Sequence, residues 1–120
     1  MYVEAFLVPV PKDKEAEYKA LARVFGEVYL ELGATRIVES WPDDVAMGEV
    51  TSFPRAVQAG DDEVAAFAWI EYPDKATRDA CNEALMSHPT IKAHTDPPPF
   101  DGKRMIFGGY APFLEMKGAA

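Results

Sequence analysis

Val10-Pro11-Lys12-Asp13-Lys14 and Tyr72-Pro73-Asp74-Lys75 are two copies of one junction, in which an apolar run stops at proline and Asp-Lys opens a segment with helical spacing. Proline removes a backbone donor and fixes φ, which ends a strand. An aspartate just after it is placed to accept otherwise orphaned N–H groups of a first helical turn. A strand follows each helix, so the chain reads as β-α-β twice over.

Working outward, residues 2–10 are rich in Val, Phe and Leu and form a first strand. After Asp13 the apolar positions Tyr18, Leu21, Phe25, Val28 and Leu32 recur at three- and four-residue steps, with Lys19, Arg23, Glu27 and Glu31 on the opposite side. Gly33 stops that helix and residues 35–41 form the second strand. A loop over 42–48 leads to an extra strand at 49–59, which Pro54 confines to an edge or a bulge. The third strand is 64–72. Asp74 caps the second helix, whose narrow stripe is Ala76, Ala80, Cys81, Ala84 and Leu85, and His88-Pro89 ends it. One more helical turn at 90–94 precedes the stiff Pro97-Pro98-Pro99 connector. The fourth strand is 103–113, and a Gly-Ala-Ala tail follows.

Two β-α-β units in one 120-residue chain predict a single α+β domain over residues 1–120, a ferredoxin-like plait with an antiparallel sheet and both helices on one face. The strands add a condition. Phe67 and Trp69 point one way on the third strand and Val64, Ala66, Ala68 and Ile70 the other; Val3, Ala5 and Leu7 oppose Phe6, Val8 and Val10 on the first. Both faces of the sheet are apolar, whereas a solvated antiparallel face carries polar residues. Two helices cover one face only, so the other predicts a homodimer joined through it, two plaits pairing as a dimeric α+β barrel.

The formal net charge of −8 repels phosphate backbones and anionic membrane surfaces, which argues against nucleic-acid and membrane partners. No run approaches transmembrane length. Cys81 is the single cysteine, which excludes an intrachain disulfide and a thiolate metal cluster and fits a reducing cytoplasm. The apolar N-terminal stretch lacks a basic region and is broken by Glu4 and Pro9, as befits a strand rather than a signal peptide.

The stretches Gly33-Ala34-Thr35-Arg36-Ile37-Val38-Glu39-Ser40-Trp41, Trp69-Ile70-Glu71-Tyr72-Pro73 and Pro99-Phe100-Asp101-Gly102-Lys103-Arg104-Met105-Ile106-Phe107-Gly108-Gly109 resemble the YbaA-like bacterial family, domain-of-unknown-function family 1428. The resemblance runs over nearly the whole chain. It implies the dimeric α+β barrel superfamily, and it brings no established activity and no agreed catalytic residues. That superfamily includes cofactor-free monooxygenases, haem enzymes, isomerases and binding modules, so fold does not select among them.

Candidate site residues come from charges and aromatics on the strands. Arg36 and Glu39 lie mid-strand, where charge is costly to bury unpaired, and their odd separation puts them on opposite faces. Either one faces a pocket and orients an anionic or carbonyl substrate, or they are edge charges or an intersubunit ion pair. Glu71 shares a face with Trp69; beside an indole in an apolar barrel its carboxylate would have a raised pKa and serve as an acid or base. The alternative is a solvated or paired Glu at the strand's mouth. Trp41 and Trp69 are stacking candidates for a planar ligand, or else core or interface. Arg104 and Tyr110 share a fourth-strand face and could hydrogen-bond a ligand or simply a helix terminus. Gly108-Gly109 marks a bulge or a close backbone approach. His88 and His94 fit no zinc spacing and sit on no expected barrel strand, Arg78 and Asp79 read as a solvated helix face, and no cofactor or metal is expected.

The reading is a homodimer that binds a small, partly apolar molecule in a cleft between sheet and helices. The alternatives are a non-catalytic assembly or regulatory dimer, and a cofactor-free monooxygenase- or isomerase-like enzyme with Glu71 as acid/base. Whether the chain is an enzyme is left open by its sequence.

Overall fold

The computed structural model describes residues 1–94 and 97–119; the last residue of the Gly-Ala-Ala tail lies outside the described part. Its elements are β1 (Tyr2–Pro11), a 3-10 turn (Lys12–Lys14), α1 (Glu15–Glu31), β2 (Arg36–Ser40), α2 (Phe53–Ala56), β3 (Glu63–Tyr72), α3 (Lys75–Leu85), α4 (Pro89–His94) and β4 (Ile106–Tyr110). The sheet order is β2-β3-β1-β4 and every neighbouring pair is antiparallel, the arrangement of a ferredoxin-like α+β plait.

β1 and β3 form the centre, paired from Tyr2 opposite Tyr72 to Pro11 opposite Glu63. Even-numbered side chains of both strands face the helices. Val28 and Tyr29 of α1, Ile70 and Tyr72 of β3, Cys81 and Leu85 of α3 and Ile91 of α4 pack into one core at that face. Val8, Val10, Tyr18 and Ala66 form a second cluster at the other end. Pro9 lies in a central strand, where proline is disfavoured. It is tolerated because β4 pairs β1 only from Val3 to Leu7, leaving the rest of β1 without a neighbour on that side.

The two Pro-Asp-Lys junctions diverge. Asp74 is extended and accepts from the Thr77 backbone N–H at 2.8 Å and its hydroxyl at 2.7 Å, a true N-cap. Asp13 falls inside the 3-10 turn and α1 begins at Glu15 with no side-chain cap, because a residue already turned cannot aim its carboxylate at the N–H groups ahead. Gly33, at φ +118°, closes α1 in the left-handed region that favours glycine.

Three further expectations are corrected. Residues 49–59 hold no strand; Ser52 accepts from the Arg55 N–H at 3.2 Å, Pro54 opens the helix where its missing donor costs nothing, and the result is the short α2. α2 and its flanks lie over the non-helical face, where Val57 packs on Leu7 and Ala65. The fourth strand starts at Ile106 rather than 103, since the Arg104 guanidinium is held in a turn by Asp101. On α3, Ala76 and Ala80 are exposed, and the side that meets the sheet carries Arg78, Cys81, Asn82 and Leu85.

Arg78 is therefore no solvated residue. Glu4, 2% exposed, points from β1 at α3 and accepts from Arg78 Nη1 at 2.9 Å and from Asn82 Nδ2 at 3.2 Å. The guanidinium stacks on the Tyr2 ring at 4.9 Å. A Cβ on Gly109 would strike the Tyr2 hydroxyl and Arg78, so tight packing explains that glycine. Arg78→Met strands the Glu4 carboxylate without its cation and should cost about 3 kcal/mol of stability, read as a lower urea midpoint. Adding Glu4→Leu should recover most of it; a double variant as unstable as the single one would show that this pair does not dock α3.

Candidate functional site

The helix-facing side of the sheet is not filled. At its middle β3 presents only the methyl groups of Ala66 and Ala68 to that side. Tyr18 and Tyr29, three turns apart on α1, are buried at its two ends, while Leu21, Ala22 and Phe25 between them are only half-buried. A cavity of about 150 Å³ remains, floored by Phe6, Val8, Ala68 and Ile70, roofed by α1 and closed at one end by Phe100 and Met105. Phe100 meets Tyr18 edge-on at 5.9 Å.

Glu39 of β2 projects into this cavity. As a residue it keeps solvent access, because β2 is a sheet edge and a wider groove of about 410 Å³ runs outside it along α1. Its carboxyl is nevertheless crowded by protein, and burial pushes it up to about 7. Burial likewise raises the Tyr18 and Tyr29 phenols well above their ordinary value, with Glu39 adding to both. The tyrosines thus remain neutral hydroxyls. The lining holds one Glu and no Arg, so it is smaller and more apolar than a typical metabolite pocket. It offers a largely apolar berth for a compact group, with an acid of near-neutral pKa and two hydroxyls at its edges.

The other candidates divide among three places. Arg36, Trp69 and Glu71 meet on the opposite face, away from the cavity: Trp69 Nε1 donates to Glu71 Oε2 at 2.9 Å and Arg36 Nη1 donates to the same oxygen at 3.2 Å. One oxygen of Glu71 is thereby engaged by two donors, and Arg36 is paired across β2 and β3 rather than facing a pocket. Tyr110 shares that face, opposite Val3, and is 67% exposed. Arg104 sits off the strand, donating to Glu63 through two nitrogens at 2.7 Å each and to Asp101 at 2.8 Å. The Arg104 hydrogen bonds, helped by the Gly60 N–H, hold the Glu63 carboxyl at about 2, so the clamp ties the β4 approach to β3. Trp41 stands at the groove, tilted against Tyr18 at 6.1 Å with Lys19 Nζ 5.4 Å from its ring. Of these residues only Glu39 and Trp41 stand near the cavity. His88 is bonded to Glu31 at 3.3 Å, and no cluster suited to a metal ion occurs among the described residues.

Residues 1–102 match the family described as a protein of unknown function, DUF1428. The chain belongs to that family. It is 46% identical over 114 residues to the uncharacterized protein YbaA of Escherichia coli K12, a match covering 95% of this chain and 97% of the relative. YbaA of Shigella flexneri matches equally well. Among solved structures, a dimeric ferredoxin-like protein from an uncultured marine organism superposes with a TM-score of 0.67 at 15% identity, covering 98% of this chain and all of that one. An uncharacterized NIPSNAP domain protein from Burkholderia xenovorans gives 0.63 at 20% identity, over 97% of this chain. Both likenesses establish the fold of this DUF1428 chain and nothing about its chemistry. No helix among the described residues is long and apolar enough to cross a membrane.

Tyr18 and Tyr29 were not singled out from sequence, although two tyrosines spaced three helical turns apart in a Leu/Phe stripe were the available signal. Glu4 was read only as an interruption of an apolar run; an acid at a helix-facing strand position was its clue, but its partner lies 74 residues away. The raised Glu39 carboxyl favours the fold when protonated. That contribution is complete below the ordinary glutamate value and is lost as pH rises through about 7. Glu39→Gln, which keeps the shape without the charge, should raise Tm above wild type at pH 8 and leave it nearly unchanged at pH 4. An equal gain at both pH values would assign the effect to packing instead.

Proposed function

We propose that this protein is a homodimer, paired through the sheet face away from α1 and α3, and that each subunit holds a small, partly apolar molecule in the cavity between sheet and α1. The cavity carries the ligand reading: natural cores leave few voids larger than a water, and among the described residues this one has a single carboxyl at its edge. α2 covers only part of the opposite face. Phe67, Ile106 and Tyr110 there are 37%, 47% and 67% exposed, beside Trp69 and Val38. The segment after β4 adds Phe113, Leu114 and Met116, all largely exposed. Apolar surface of this extent calls for cover, and the dimeric ferredoxin-like neighbour supports a second copy as that cover. A lone buried cysteine, Cys81, supports a reducing cytoplasm as the setting.

Light scattering at micromolar concentration should give twice the chain mass, and Ile106→Lys should shift it toward the monomer. A monodisperse wild-type monomer refutes the dimer. In a thermal-shift screen of small apolar molecules, a ligand at a hundred times its Kd stabilises by about 2.7 kcal/mol, several degrees in Tm. Ala68→Leu, which fills the cavity, should remove such shifts while leaving the dimer intact. Shifts that survive Ala68→Leu would place binding elsewhere, and a screen with no shifts would favour an assembly-only dimer.

A further inference from the structure

The inner cavity and the outer groove meet at one point, since Tyr18, Ala22 and Glu39 line both. Glu39 stands apart from the other carboxylates on the strands. Glu4 is held by Arg78, Glu63 by Arg104 and Glu71 by Arg36, whereas Glu39 makes no ion pair or side-chain hydrogen bond among the described residues. No residue lining the inner cavity is Lys, Arg or His. The outer groove holds two cations: Lys19 is engaged by Glu15 at 2.6 Å and lies over Trp41, and Arg23 makes no ion pair with Glu39 among the described residues. An anionic ligand would find no counter-charge inside and a carboxyl at the entrance. A cation would supply the charge that this carboxyl lacks.

We propose that the cavity takes a small organic amine, with its apolar body under α1 and its ammonium group at Glu39 in the gate formed with Tyr18 and Ala22. The proposal rests on the cavity being a ligand site, as argued above. A largely apolar cavity of about 150 Å³ has room for one benzene-sized group. One ring with a short methylene link to nitrogen therefore matches both the volume and the place of the carboxyl. Binding of the ammonium favours ionised Glu39, so below about pH 7 the site must release a proton to bind. The other titratable and charged groups around Glu39 come from both elements packed against it. From α1 they are the Tyr18 and Tyr29 phenols, both raised, with Lys19, Arg23 and Glu27 in the outer groove. From the sheet, Glu4 contributes only a distant charge, felt at Tyr29 and already paired with Arg78.

Calorimetry with benzylamine, toluene and phenylacetate on the full chain tests this. Benzylamine should bind at least about tenfold more tightly than toluene at pH 8, the advantage expected of a charge-assisted hydrogen bond, and phenylacetate should be the weakest of the three. Lowering the pH below about 7 should weaken benzylamine by about tenfold per unit and leave toluene unchanged. Glu39→Gln should abolish the benzylamine advantage and keep toluene binding, which also reports that the variant is folded. Equal affinity for benzylamine and toluene, or no effect of Glu39→Gln on benzylamine, overturns the amine anchor while the cavity reading stands. Failure of all three probes to bind overturns both.

Discussion

Between Tyr2–Tyr72 and Pro11–Glu63, β1 and β3 pair residue for residue, and this ladder decides where every other group can go. Side chains alternate along a strand, so one register commits Glu4, Phe6, Val8, Ala66, Ala68 and Ile70 to the helices and Leu7, Phe67, Trp69 and Glu71 to the other side. A slip of one residue would put the Phe67 and Trp69 rings under α1 or aim Glu4 away from Arg78, according to which strand turned over. β2 and β4 join the two outer edges of this ladder, and α1 and α3 lie across its even-numbered face.

Charge is admitted to the interior only in company. Glu4 is almost fully covered, yet Arg78, Asn82 and the Tyr2 ring surround it, and the group links the first strand to the third helix. Glu63 and Glu71 are matched by arginines from elements far away in sequence. Between such partners, mutual attraction offsets much of the cost of desolvating the charges, and losing one partner leaves the other with the full penalty. Glu39 lacks this company and faces a space lined by carbon, which is why its carboxyl is pushed up to about 7 by burial. The same lack makes it the one strand carboxylate without an arginine partner among the described residues.

The void itself follows from side-chain size. Two alanines on a central strand face a helix held off by tyrosines at both ends, and the backbone cannot collapse at the middle of a helix anchored at its termini. Phe100 and Met105 from the loop before β4 then close one end. The site is thus mainly a by-product of which residues are small and which are large along one register, with the loop supplying its end wall.

The sequence by itself determined the plait: turn chemistry at Pro11 and Pro73, helical spacing from Tyr18 to Leu32, and alternation in the strands are local signals, readable without partners. It also showed that both faces of the sheet are apolar, because alternation alone assigns residues to faces. It misplaced the segment around Pro54, where a serine cap three residues before Arg55 outweighed strand-like composition. It also read Arg78 as solvated, because nothing local announces a partner on β1. Arg36, Glu71 and Trp69 met on one face only once β2 and β3 were in register, and Arg104 left its strand for Glu63 and Asp101. Only the tertiary structure decided that Glu39 alone of these acids looks into a cavity. Pairing and empty space are properties of distances between remote residues, and a sequence carries no distances.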